Sequence, residues 1–112
     1  MKTGDIVLTP FPFTDLTQRK VRPAVVVCET ADKYRDVVLC AISSVVPPQP
    51  SRNEHVIKAD AQNGLRKESV VKVDRIVTAK IGDVITQIGA MSQNDLVRLK
   101  SIFQKLIEND MQ

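Results

Sequence analysis

Arg22 stands directly before Pro23, at the head of the apolar run Ala24-Val25-Val26-Val27. The residue before a proline is driven out of helical geometry into extended backbone. Proline itself is accepted at the first position of a strand, where its missing N–H is not needed. Arg22 is therefore expected at the mouth of a buried strand, with its direction set by the backbone. A permanently charged guanidinium with five donors, held in such a place, suits the grip of a phosphate. The competing reading is an edge arginine in an ion pair with Asp15 or Asp74.

Ser43 is the hydroxyl that a hairpin would bring to Arg22. If residues 22–28 pair with residues 36–43, a register in which Cys28 faces Val37 sets Arg22 across from Ser43. Directly opposed residues share a face, with Cβ atoms roughly 5 Å apart. A slip by one residue puts Ser44 or Ile42 there instead. The competing reading of Ser43 is a strand-end serine bonded to its own backbone. His55 is the only histidine. It has the intrinsic pKa of a general base, but its place beside Glu54 after a loop also fits a surface or strand-edge residue. Cys28 and Cys40 lie in apolar runs and are expected as buried, reduced thiols. Two cysteines and one histidine make a poor ligand set. Neither a metal nor any other cofactor is therefore expected.

These residues need a frame to position them. Residues 5–9 read as a first strand, followed by a loop over 10–20. Residues 22–28 are short, apolar and β-branched, as in a buried strand. Residues 36–46 form the next strand, ended by Pro47-Pro48, and the proline-rich stretch 47–53 is a loop. Residues 54–58 are short and extended, and Asn63-Gly64 signals a turn. Residues 69–77 read as a strand with Val71 and Val73 on one face and Lys72 and Asp74 on the other. Residues 84–88 read as the last strand, Val84 and Ile88 sharing a face. Ser92 and Asp95 fit the N-cap and N3 positions of a capping box, with Met91 and Leu96 as its hydrophobic staple. Leu96, Leu99, Phe103 and Leu106 then recur at helical spacing, which predicts one amphipathic helix from Gln93 to about Asn109. Short strands with one C-terminal helix point to a small, strongly curved barrel.

The chain of 112 residues is read as one domain, residues 1–112. Its formal net charge of +3 is compatible with a polyanionic partner without demanding one. No stretch approaches the roughly 20 apolar residues of a membrane span, and the first residues lack a secretory h-region. A cytoplasmic address without membrane contact is expected. A chain this short buries a modest share of its surface, so dimerisation is a natural supplement.

Several segments together resemble the MazF/PemK family of bacterial toxins, the RNA-cleaving partners of toxin–antitoxin pairs. They are Gly4-Asp5-Ile6-Val7, Pro10-Phe11-Pro12-Phe13-Thr14-Asp15-Leu16, and the Arg22-Pro23 strand through Val27. Weaker likeness continues through Leu39-Cys40-Ala41-Ile42-Ser43-Ser44, Asp74-Arg75-Ile76-Val77-Thr78 and the C-terminal helix. The resemblance implies a mainly β fold with a C-terminal helix, an SH3-like small barrel of the MazF/PemK/CcdB kind. It also implies a metal-independent, sequence-selective endoribonuclease that cleaves single-stranded RNA, leaving a 2′,3′-cyclic phosphate and a 5′-hydroxyl. The catalytic pair of the family is an arginine and a threonine; here Arg22 and Ser43 correspond. Some members carry a glutamate shortly before the Arg-Pro pair, where this chain has Leu16-Thr17-Gln18-Arg19-Lys20, and Asp15 is the nearest carboxylate.

The loop would line the RNA groove through Phe11, Thr14, Arg19 and Lys20, although the phenylalanines are equally suited to pinning the loop to the barrel. Ser44, His55, Arg66, Lys67 and Arg75 complete the candidate RNA contacts. The implied partners are single-stranded RNA, a second copy of the chain, and an antitoxin whose acidic, disordered tail occupies the groove. The rival reading is non-catalytic. It is a CcdB-like toxin that binds gyrase, or an inactive paralogue that binds nucleic acid or antitoxin.

Overall fold

The computed structural model describes residues 1–12 and 19–108. Phe13, Thr14 and Asp15 lie outside the described residues, and Arg19 enters only as a backbone position. Among the described residues, six strands precede one long helix. The strands are β1 (Asp5–Pro12), β2 (Arg19–Glu29), β3 (Asp36–Ser43), β4 (Glu54–Ile57), β5 (Ser69–Lys80) and β6 (Thr86–Ala90), and the helix is α1 (Gln93–Glu108). All pairings are antiparallel, and the sheet runs β4-β5-β3-β2-β1-β6, curled into a half-barrel. The mainly β fold with a C-terminal helix is thus as expected. No helix among the described residues is long and apolar enough to cross a membrane.

The alternation of the strands divides the apolar residues between two clusters. Ile6, Val25, Cys40, Ile42, Val71 and Val73 point to one face, which α1 covers with Leu99 and Ile102. Each fully buried aliphatic side chain contributes about 1.5–3 kcal/mol relative to exposure. Val7, Phe11, Ala24, Val26, Val37 and Leu39 form the second cluster. Arg22 alternates with Ala24 and Val26, and Ser43 with Leu39 and Ala41. Both therefore project on the side of the second cluster, away from the helix.

Several boundaries differ from the sequence reading. β1 continues to Pro12 and β2 begins at Arg19, so the expected loop is shorter. β6 leaves β1 after Leu8, and the open edge beyond it accepts Pro10 and Pro12 without losing a ladder bond. β3 stops at Ser43 instead of Val46, because Ser43 turns the chain with its own side chain. β5 extends to Lys80 and leads into a short 3-10 helix, Ile81–Asp83. The last strand is therefore displaced to Thr86–Ala90. Val84 packs against the second cluster and Ile88 against the first, so they do not share a face.

Cys28 is also a correction: it is exposed, while Cys40 is buried. A β-bulge lies between Val26 and Cys28, and an extra residue in a strand reverses the facing of the residues beyond it. For the same reason Cys28 faces Val38 and not Val37.

Candidate active site: a cationic cleft at the Arg22-Pro23 strand

Arg22 lies on β2 between β1 and β3, paired across the ladder with Thr9. On the other side, the β2–β3 register past the bulge pairs Val25 with Cys40 and Ala24 with Ala41. The ladder between β2 and β3 ends at that last pair, so Arg22 and Ser43 lie just beyond it, each two residues further along its strand. Arg22, Ser43 and Ser44 line one cleft of about 600 Å³. Two further cations, Lys72 and Arg75, line it from β5. Its apolar wall includes Phe11, Pro23, Ile42 and Val45. Among the described residues, no carboxylate lines it.

Each of these side chains is there for a local reason. Pro23 keeps Arg22 extended at the strand entrance. Ser43 Oγ accepts a hydrogen bond from the Val45 N–H at 3.1 Å, which closes the turn after β3. Accepting that bond leaves the hydroxyl hydrogen to donate toward the cleft. Ser44 is exposed on the same turn. Phe11 is 8% exposed, packed in the second cluster while still forming part of the cleft wall. It pins β1 to the sheet and presents an apolar surface at once.

Lys72 and Arg75 reach the cleft through a second irregularity. The β3–β5 register jumps from Cys40↔Ile76 to Ala41↔Lys72, leaving residues 73–75 as a bulge in β5. Bulges re-aim side chains at such places. Strict alternation after Val71 and Val73 would have put Arg75 in the core, where a guanidinium is not tolerated. That conflict was the sequence signal of the bulge. Lys72, placed from sequence only on the face of its strand opposite Val71 and Val73, is the cleft cation that went unrecognised. Its ammonium lies 3.6 Å from Glu54 Oε2 on the neighbouring strand. The Ser51 N–H, which Glu54 accepts at 2.7 Å, holds that carboxyl below its usual range, with Lys72 adding to the effect. Behind the bulge, Cys40 Sγ lies 3.4 Å from the Val73 carbonyl. Burial pushes its thiol up to about 12, helped by the charge of Asp74.

The remaining candidates are placed elsewhere. His55 does not line the cleft. Its Nε2 is 2.8 Å from Asp95 Oδ1, so it ties β4 to the first turn of α1. Lys20 is exposed across from Phe11 near the open end of the β1–β2 pair. Arg66 and Lys67 are exposed just before β5 and are not part of the cleft wall. Asp74, one suggested partner of Arg22, accepts a hydrogen bond from Asn53 Nδ2 at 3.2 Å. Among the described residues, no group of three or more His, Cys, Asp or Glu side chains could hold a metal ion.

Comparison with known proteins gives a family and a fold. The profile of the family described as "PemK-like, MazF-like toxin of type II toxin-antitoxin system" matches residues 2–107. A search of curated proteins finds no match. Among solved structures, the chain is similar to a mycobacterial endoribonuclease in complex with its cognate antitoxin. The TM-score is 0.75 at 11% identity, over 100% of this chain and 99% of that one. It is similar to the Mycobacterium tuberculosis toxin MazF-mt6, with TM-score 0.65 at 23% identity, over 93% and 98% of the two chains. It also matches a MazE–MazF structure from Deinococcus radiodurans, with TM-score 0.70 at 17% identity, over 98% and 97%.

Proposed function

Because this chain belongs to the PemK-like, MazF-like toxins of type II toxin–antitoxin systems, we propose that it is a metal-independent, sequence-selective endoribonuclease acting on single-stranded RNA. The observation that carries the reading is the convergence of Arg22, Lys72 and Arg75 with Ser43 and Ser44 in one cleft. The reaction needs no nucleophile from the protein. The ribose 2′-oxygen attacks the adjacent phosphorus and loses its proton as the new P–O bond forms. The bond to the 5′-oxygen breaks, and that oxygen gains a proton. The products are a 2′,3′-cyclic phosphate and a 5′-hydroxyl.

Arg22 grips the non-bridging oxygens and offsets the charge that builds on them in the transition state. It also holds the phosphate in line for attack. Ser43 donates its hydroxyl hydrogen to the same phosphate, with Ser44 beside it. Lys72 and Arg75 receive neighbouring phosphates, and the apolar wall gives the bases a surface to lie on. Guanidinium hardly deprotonates in proteins, so proton transfer is assigned to hydroxyl and solvent.

The acting unit is a homodimer in the cytoplasm, with the RNA groove near the interface. A cognate antitoxin with an acidic tail, suited to a cleft of three cations, blocks the groove. The antitoxin-bound structures among the similar folds support such a partner.

The test is incubation of purified protein with a long RNA in excess EDTA, with analysis of the new ends. Cleavage with cyclic-phosphate ends is expected, and it should vanish in Arg22→Ala. Activity lost to EDTA and restored by a divalent ion would remove the mechanism. Intact RNA with a folded protein would return the gyrase-binding reading.

A further inference from the structure

The bulge of β5 has its own brace. Residues 73–75 lie across from no β3 partner, because the ladder passes from Ile76 directly to Lys72. The side facing β4 supplies what is missing. The buried Val73 N–H donates to the Asn53 carbonyl at 2.9 Å. The Asn53 carboxamide nitrogen donates to Asp74 Oδ2 at 3.2 Å. Asn53 is fixed in turn by its own N–H, which donates to Ser51 Oγ at 3.2 Å. The next residue, Glu54, sits across from Lys72 and faces its ammonium. One short turn, residues 51–54, therefore holds both flanks of the segment that carries Lys72 and Arg75 into the cleft.

We propose that Asn53 is a positioning residue for the cleft: it fixes the β5 bulge and so aims Lys72 and Arg75 at the phosphates that flank the scissile one. The inference rests on the nuclease reading above. Asn53 itself is not part of the cleft wall and touches no substrate. The Val73 amide donates to the backbone carbonyl of residue 53, which any side chain would leave in place. Asparagine suits the position because its carboxamide donates to the Asp74 carboxylate and so holds that carbonyl against the bulge. Aspartate would oppose its charge to Asp74, and alanine would lose the donor. Two cations on an unbraced bulge would have to be ordered by the ligand at the moment of binding, which lowers affinity.

Two measurements test it. The first is amide hydrogen exchange at Val73, which reads the brace without any RNA. The second is the affinity for all-2′-deoxy oligonucleotides that carry the mapped cut sites and cannot be cleaved. Asn53→Ala should speed exchange at Val73 and weaken binding about fivefold, the scale of one lost hydrogen bond, without lowering the melting temperature of the domain in proportion. Asn53→Asp should weaken binding further. The exchanged pair, Asn53→Asp with Asp74→Asn, reverses donor and acceptor and should recover both readouts to within about twofold of the parent. Unchanged binding and exchange in Asn53→Ala, with weakening only in Asn53→Asp, would mean that charge alone acts, and would overturn the proposal. If the parent protein binds no oligonucleotide while Asn53→Ala still frees Val73, the nuclease reading fails and the brace stands.

Discussion

At the scale of single residues, the charge of Arg22 and the hydroxyl of Ser43 make separable contributions. Arg22→Ala should reduce RNA cleavage a hundredfold or more, since removing the main stabiliser of developing charge costs on the order of 3 kcal/mol in the barrier. Arg22→Lys should also fail, because an ammonium cannot reproduce a two-pronged grip on phosphate. Ser43→Thr should keep activity and Ser43→Ala should lose most of it, with Ser44→Ala milder. Rates on a defined RNA check this series, and a damaging Ser44→Ala would move the hydroxyl role by one residue. The two cysteines provide a further residue-scale test. Cys28 is exposed and Cys40 is buried, its thiol pushed up to about 12. A maleimide should label Cys28 in the native protein and reach Cys40 only on denaturation. Mass spectrometry of the labelled peptides reads the outcome.

At the scale of elements, two local devices hold the frame around the cleft. The first is the start of α1. Ser92 Oγ accepts from the Asp95 N–H at 3.2 Å and donates to Asp95 Oδ2 at 3.0 Å, while the other carboxylate oxygen meets His55 on β4. The cap and the tether share one carboxylate, so Ser92→Ala should cost about 1 kcal/mol in denaturant unfolding, and Asp95→Ala more. The second device is the Asn63-Gly64 turn. Asn63 is 1% exposed. Its side chain donates to the Lys58 carbonyl and accepts from the Asp60 and Leu65 N–H groups. Gly64 has φ +72°, and a Cβ there would collide with the Ile88 carbonyl of β6. Asn63→Ala should therefore destabilise the domain by about 2–3 kcal/mol, since buried backbone groups lose their partners. Glu54 adds a pH dependence at this scale. Its carboxyl is held below the usual range by the Ser51 N–H, so its contribution is present at neutral pH. It is lost as pH falls through that lowered value. Glu54→Gln should flatten this acid limb of the stability curve, as measured by urea unfolding at successive pH values.

At the scale of the whole molecule, the sheet has one face closed by α1 and a second face on which the cleft opens. Val21, Val45, Ile76 and Ile85 are exposed large apolar residues, each more than 40% accessible. A chain of 112 residues has few means of covering such surface alone. A dimer at tens of micromolar is expected by sedimentation equilibrium, and a monomer there would remove the dimer from the proposed function. The family membership accounts for an antitoxin as partner, and the charge of the cleft accounts for the kind of segment that would fill it.

The amino-acid order by itself determined the features that depend on near neighbours. Pro23 set the backbone of Arg22, and the apolar run after it made β2. Ser92 and Asp95 marked the helix start, and the spacing of Leu96, Leu99, Phe103 and Leu106 marked its buried face. The antiparallel pairing of β2 with β3 was legible from two apolar runs joined by a short polar connection, while its register at Cys28 was not. The tertiary structure alone decided where alternation breaks. A bulge costs one local irregularity and is chosen by contacts distant in sequence, so periodicity gave no sign of the exposure of Cys28, and at Arg75 it signalled a break without placing it. Asn53 is the clearest case. It looks like an ordinary loop residue until the fold sets it beside Val73 and Asp74, some twenty positions away, where it satisfies groups that the sheet has left without partners.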